Sequence, residues 1–146
     1  MLNVRSMKCS DVESVARLEQ QIFTDAWSEK SIIDTMNQSQ AFILVSEEDN
    51  VINGYCIVYF VLDEAEIARI AVEPSMRKQG VGQELLRATC RVGMQKGIAR
   101  ILLDVRESND SARRFYRAFG FEEDGIRKNF YQNPNEHAVL MSMSIV

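Results

Sequence analysis

"VEPSMRKQGVGQELL", residues 72–86, leaves an apolar run on one side and opens a helical pattern on the other. Arg77, Lys78, Gly80 and Gly82 crowd into six residues of it. A loop that leaves a strand and starts a helix points free backbone N–H groups outward, and the helix dipole adds partial positive charge there. Glycines let a phosphate-bearing ligand approach the backbone, and Arg77 and Lys78 add charge-assisted donors. Two familiar phosphate loops fail on spacing. A dinucleotide fingerprint beginning at Gly80 needs a glycine at position 85, which is Leu85, and no Gly-Lys-Ser/Thr follows for a Walker loop. A diphosphate cradle and a plain turn with solvated charges both remain open on the loop alone.

Outward from the loop, residues 65–72 read as a strand and 80–96 as a helix, with Leu85, Leu86, Thr89 and Cys90 on one side and Gly97 closing it. "RILLDVR" (100–106) is the next strand, with Leu102, Asp104 and Arg106 on one face. Such a strand–helix–strand crossover makes its two strands parallel. On the N-terminal side, Leu2 to Met7 form a short strand, and Ser10 with Glu13 form a capping box for a helix over 11–23. Ser28 caps a second helix, with Trp27 stapled onto Ile32. Residues 41–46 and 51–61 are strands around the turn "EEDN". On the C-terminal side, a helix over 109–119 carries Ala112, Phe115, Tyr116 and Phe119 as one stripe, and strands follow at 121–128 and 137–145. The order predicts one α/β domain, residues 1–146, in which a mixed, largely antiparallel sheet of six to seven strands is flanked by about four helices.

A chain of 146 residues, 46% hydrophobic and 26% charged, suits one soluble globular domain. The longest apolar run, "YCIVYFVL" at 55–62, is too short to span a membrane, and the N-terminus lacks the pattern of a secretory signal. Cys9, Cys56 and Cys90 lie far apart and odd in number, which points to reduced thiols in the cytoplasm and against a zinc site. A net charge of −4 argues against autonomous nucleic-acid binding. His137, the single histidine, reads as structural.

"RKQGVG" at 77–82 resembles the R/Q-x-x-G-x-G/A loop of the GNAT acyltransferases, and "SNDSARRFYRAFGF" at 108–121 resembles their S/N-x-x-A-x-x-x-Y-x-x-x-G-F segment. "WSEKS" (27–31), "VLDEAEIARIAV" (61–72), "LLDVRESN" (102–109) and "IRKNFYQN" (126–133) extend the likeness over most of the chain, and toward the bacterial ribosomal-protein-alanine N-acetyltransferases. The resemblance implies a sheet splayed where acetyl-CoA binds, with no metal. It implies that Ile70, Ala71 and Val72 run beside the acetyl group and pantetheine, and that the backbone of Lys78, Gln79, Gly80, Val81, Gly82 and Gln83 cradles the pyrophosphate. Asn109 would touch the cofactor arm, and also suits a helix N-cap.

The transfer needs a neutral amine, a stabilised oxyanion and a protonated leaving thiol. An α-amine with pKa near 7.8 costs only about 1 kcal/mol to deprotonate at pH 7, a lysine amine about 4.6 kcal/mol. A modest base therefore suffices for an N-terminus. By resemblance Tyr116 is the general acid, and the Val72 N–H meets the oxyanion. On spacing alone Tyr116, on the apolar stripe of its helix, reads as a core aromatic with a satisfied hydroxyl. The base position holds Asp104, where the resembled enzymes carry glutamate; Glu64 and Glu66 are rivals, and pairing with Arg106 is the structural alternative for Asp104. Trp27 and Tyr131 would flank the acceptor, although Ala26 replaces the family's usual proline before the tryptophan.

These readings predict an acetyl-CoA-dependent enzyme, a cytoplasmic monomer, acting on the N-terminus of a small-subunit ribosomal protein that begins with alanine. The alternatives are a lysine or small-amine acetyltransferase and a non-catalytic acyl-CoA sensor.

Overall fold

Asn53 to Val58 are buried at every position, a pattern that only a strand covered on both faces allows. In the computed structural model, which describes residues 1–146, they form the middle of strand β3 (Val51–Val61). Strands β2 (Ala41–Glu48) and β4 (Glu64–Val72) pair antiparallel on either side of it. Beyond them lie β1 (Asn3–Ser6), β5 (Arg100–Arg106), β6 (Glu122–Tyr131) and β7 (Glu136–Ser144). The seven strands run in the order β1-β2-β3-β4-β5-β7-β6, and only β4 and β5 are parallel. This is the mixed, largely antiparallel sheet that the element order predicts.

Helices α1 (Val12–Ile22) and α2 (Glu29–Met36) cover one face of β2, β3 and β4. Their core includes Val15, Ile32, Val45, Tyr55 and Ile57. Helices α3 (Val81–Gln95) and α4 (Asp110–Phe119) cover the opposite face, over Cys56, Val58, Ile67, Leu103, Val105 and Met141. The face of β5, β7 and β6 on the α1 side carries no helix, and β6 is an edge strand exposed along almost its whole length.

Two irregularities position the site. The parallel ladder between β4 and β5 ends at Glu66–Leu102, so β4 from Ile67 to Val72 pairs with β3 alone. In the same stretch Ala68 is an extra residue, because Ile57 opposes Arg69 while Val58 opposes Ile67. A bulge of this kind bends its strand and increases the local twist, which turns β4 away from β5.

Several element limits differ from expectation: β2 runs to Glu48 rather than 46, since Glu47 and Glu48 of the turn "EEDN" still pair with Ile52 and Val51. A 3₁₀ turn, Cys9–Asp11, precedes α1, and it is Asp11, not Ser10, whose carboxylate accepts the Lys8 N–H (2.8 Å). Arg5 bonds the same carboxylate at 2.7 Å and also pairs with Glu47 on β2, a long-range tie that outweighs the local capping signature. Strand β6 reaches Tyr131 rather than stopping at 128, since Tyr131 still pairs with Glu136. No helix is long and apolar enough to cross a membrane.

Candidate active site

The glycine loop ends in backbone conformations that ordinary side chains rarely adopt. Lys78 has φ +63° and Gly80 φ +86°, with open space around the position a Gly80 Cβ would take. Alternating left- and right-handed residues turn successive N–H groups to one side and form an anion-binding concavity. The first bond of α3 runs from Glu84 N–H to Gly80 O, leaving the Val81, Gly82 and Gln83 N–H groups without an acceptor inside the helix. Gly82 has a separate reason: its Cβ would lie 3.1 Å from Phe115 Cζ, so glycine lets α4 close against the start of α3. This donor set suits a diphosphate. Arg77, expected to face the anion, instead donates from Nε to the Val72 carbonyl (3.2 Å) and braces the loop against the end of β4.

Tyr116 sits on the inner side of α4, 8% exposed, with Phe115 and Phe121 edge-on at 5.3 and 5.6 Å. Its hydroxyl has no hydrogen-bond partner within the chain, yet it is not sealed from solvent. Burial pushes its pKa well above the usual 10, so the phenol stays protonated across the neutral range. Asn109 caps α4, its Oδ1 accepting the Ala112 N–H at 3.1 Å.

Asp104 lies on the other face of the sheet, on β5, with its side chain 17% exposed. The register brings Glu66, opposite Leu102, onto the same face one step away. Burial raises the Asp104 carboxyl above the ordinary carboxylate range, against the opposing pull of Arg127 at 4.0 Å. Burial also raises Glu66, and the charge of Asp104 raises it further. Glu64 lies outside this pair, 54% exposed and 3.6 Å from Arg100. Arg106 does not pair with Asp104: its guanidinium turns to Glu136 (3.2 Å) and stacks 4.6 Å from the Tyr131 ring centroid. Tyr131, its pKa pushed up to about 12 by burial and by the charge of Asp104, feels Arg69 as well and in turn raises Tyr116. Tyr131 ends β6 with its ring against the Arg106 guanidinium, opposite Glu136 on β7.

Ile70 and Val72 pack toward the α3 and α4 core while Ala71 faces α1, all three beyond the end of the β4–β5 ladder. Trp27 does not depend on a staple alone. Its ring packs 6.5 Å from Tyr59, and the two line a shallow groove of about 550 Å³ with Ser28, Ser31, Asp34 and Thr35. Tyr59 opposes Glu66 across β3 and β4, so the groove leads toward the carboxylate pair. His137 is structural, its Nδ1 accepting the Asn129 N–H at 2.9 Å.

A buried network beside the gap has no counterpart in the sequence reading. Glu19 on α1 is fully buried and accepts from Tyr55 Oη (2.5 Å), Arg69 Nε (2.9 Å) and the Trp27 N–H (3.0 Å). One local signal marks it: Glu19 follows Val12, Val15 and Ala16 on the apolar stripe of α1, where a lone carboxylate needs a buried partner.

A sheet opened between two parallel strands, with a glycine-rich helix start at the opening, defines a class of acyl-group transferases. The sequence profile of the Acetyltransferase (GNAT) family matches residues 12–121, and the chain belongs to that family. Members take the acetyl group from acetyl-CoA. Among its relatives, the ribosomal protein bS18-alanine N-acetyltransferase of Haemophilus influenzae is 36% identical over 95% of this chain and 96% of the relative. The enzyme of that name from Escherichia coli is 32% identical over 99% of each. The crystal structure of the ribosomal-protein-S18-alanine N-acetyltransferase from Escherichia coli superposes with a TM-score of 0.90 at 30% identity, covering 99% of this chain and 94% of that one.

Proposed function

We propose that the chain acetylates the N-terminal α-amine of a protein, namely a small-subunit ribosomal protein beginning with alanine; its relatives carry the name ribosomal protein bS18-alanine N-acetyltransferase. What supports this chemistry is a half-buried carboxylate pair, Asp104 and Glu66, on one face of the sheet and the buried Tyr116 phenol on the other, beside the stretch where β4 no longer pairs with β5.

Acetyl-CoA supplies a thioester; the chain supplies binding and proton transfer. The N–H groups at the start of α3 hold the diphosphate, with Ile70, Ala71 and Val72 along the acyl arm and Asn109 beside it. Asp104, supported by Glu66 and reaching directly or through one water, takes the proton of the incoming ammonium. An N–C bond forms to the acetyl carbon while its oxygen gains charge, offset by the Val72 N–H. The C–S bond breaks, and the Tyr116 phenol gives its proton to the departing sulfur; the second proton of the attacking nitrogen leaves as the amide forms and restores the phenol through water, while the proton held by Asp104 passes to solvent. Trp27 and Tyr131 flank the acceptor.

The test measures thiol release with two peptides, one with a free N-terminal alanine and no lysine, the other N-blocked with an internal lysine. Turnover of the first alone supports the reading; turnover of the second alone replaces it with a lysine enzyme.

Asp104→Asn is expected to lower kcat/KM by about 10²-fold, the usual scale for losing a general base. Its effect on stability has the opposite sign. A carboxyl with a raised folded pKa holds its proton more tightly in the native state, so its stabilising share is complete below the unfolded pKa and is lost as pH rises through the folded one. Asparagine removes that loss. The variant should melt no lower than the wild type, with a gap more favourable to the variant at pH 8 than at pH 4, as calorimetry at the two values would show.

A further inference from the structure

We propose that Arg69 and Arg106 are positioning residues that set the two walls of the acceptor cleft, one from each of the diverging strands; this rests on the acetyl-transfer reading. Arg69 lies on β4 just past the bulge, and Arg106 is the last residue of β5. Each reaches outward to one loop. Arg69 holds the α1–α2 loop: Nη2 donates to the Asp25 carbonyl (2.9 Å) and carboxylate (3.0 Å), Nε donates to Glu19, and the guanidinium lies 4.0 Å from the Phe23 ring centroid. Glu19 binds the Trp27 N–H, which closes the loop onto the same carboxylate. Arg106 holds the β6–β7 loop: it donates to the carbonyls of Gln132 (2.9 Å) and Pro134 (3.1 Å) and to Glu136, and it stacks on Tyr131. Glu136 is fixed in turn by the Ser108 N–H at 2.5 Å.

The two arrangements share one logic. A surface ion pair joins side-chain tips and leaves the backbone free, whereas Arg69 grips one loop carbonyl and Arg106 two, each together with an aromatic face. That grip needs several donors in a fixed plane, which lysine lacks. The first of these loops carries Trp27 and the second starts directly after Tyr131 at the end of β6, and the strands that hold them are the pair whose separation makes the gap. Fixing both loops to the diverging strands therefore fixes the width of the cleft without touching a reacting atom.

The test uses the full chain with Arg69→Lys and Arg106→Lys. Each variant should raise KM for the alanine-starting peptide by about tenfold or more, with KM for acetyl-CoA within about twofold of wild type. Amide hydrogen exchange should quicken by about tenfold within 23–28 for the first and 131–136 for the second, while α3 keeps its protection. Equal movement of both KM values, or loop exchange matching wild type, overturns the proposal. If the wild type turns over no α-amine peptide, the functional reading falls by itself, and the exchange data still decide whether these arginines hold the walls.

Discussion

Tyr116→Phe is expected to lower kcat by about 10²–10³-fold while KM for acetyl-CoA stays within about twofold of wild type. The substitution removes one oxygen and keeps the ring between Phe115 and Phe121. Since that hydroxyl bonds nothing in the chain, the fold loses no internal hydrogen bond, and stability should stay within about 0.5 kcal/mol of wild type. What disappears is a proton donor for the leaving sulfur. Burial holds the phenol well above its usual pKa, so the donor is fully protonated at every working pH, and an alkaline limb near neutrality has to come from another group. Steady-state kinetics with a melting curve separates the outcomes. A variant that keeps more than about half the wild-type kcat makes Tyr116 a core aromatic and no more.

The contrast between Tyr116 and Glu19 shows which parts of the site local sequence carries. Tyr116, Asn109 and the glycine loop lie in continuous segments where spacing along one helix or turn fixes relative position, and the crossover from β4 through α3 to β5 follows from its apolar pattern and Gly97. The Ser10 capping box was just as legible locally, and a long-range tie among Arg5, Asp11 and Glu47 overrode it. Side-chain parity puts Asp104 and Arg106 on one face of β5, but it leaves open which strand lies alongside and in what register. Only the Glu66–Leu102 pairing sets Glu66 beside Asp104, and only the β6–β7 hairpin offers Arg106 a better acceptor than Asp104. Arg69 and Glu19, 50 residues apart, meet through packing that no window of sequence contains. The gap itself is a property of two strands at once: the bulge at Ala68 turns β4, and nothing in β5 announces it.

Glu19→Ala is expected to destabilise the fold by about 3 kcal/mol, the scale for leaving one member of a buried ion pair without its partner. Three donors lose their acceptor together: the Tyr55 hydroxyl, Arg69 Nε and the Trp27 N–H. Tyr55 is fully buried and cannot turn to water for a replacement, whereas the Arg69 side chain, 15% exposed, recovers part of its hydration. That partial recovery sets the expectation at the lower end of the usual range. The cost should appear as a lower urea midpoint with an unchanged slope, because the amount of surface exposed on unfolding stays the same. Glu19→Gln separates charge from hydrogen bonding. Its carbonyl can still accept from Arg69 and its amide can still meet the Tyr55 oxygen, so it should cost about 1–2 kcal/mol, less than the alanine variant. Glu13→Ala, at a carboxylate 78% exposed on the same helix, is the comparison, with an expected change within about 0.5 kcal/mol. If Glu19→Ala cost no more than Glu13→Ala, the network would have no structural weight and the α1–α2 loop would be held by packing alone. A large cost for Glu19→Ala beside a small one for Glu13→Ala would place the anchor of the Trp27 wall in one buried carboxylate, ahead of any chemistry at the gap.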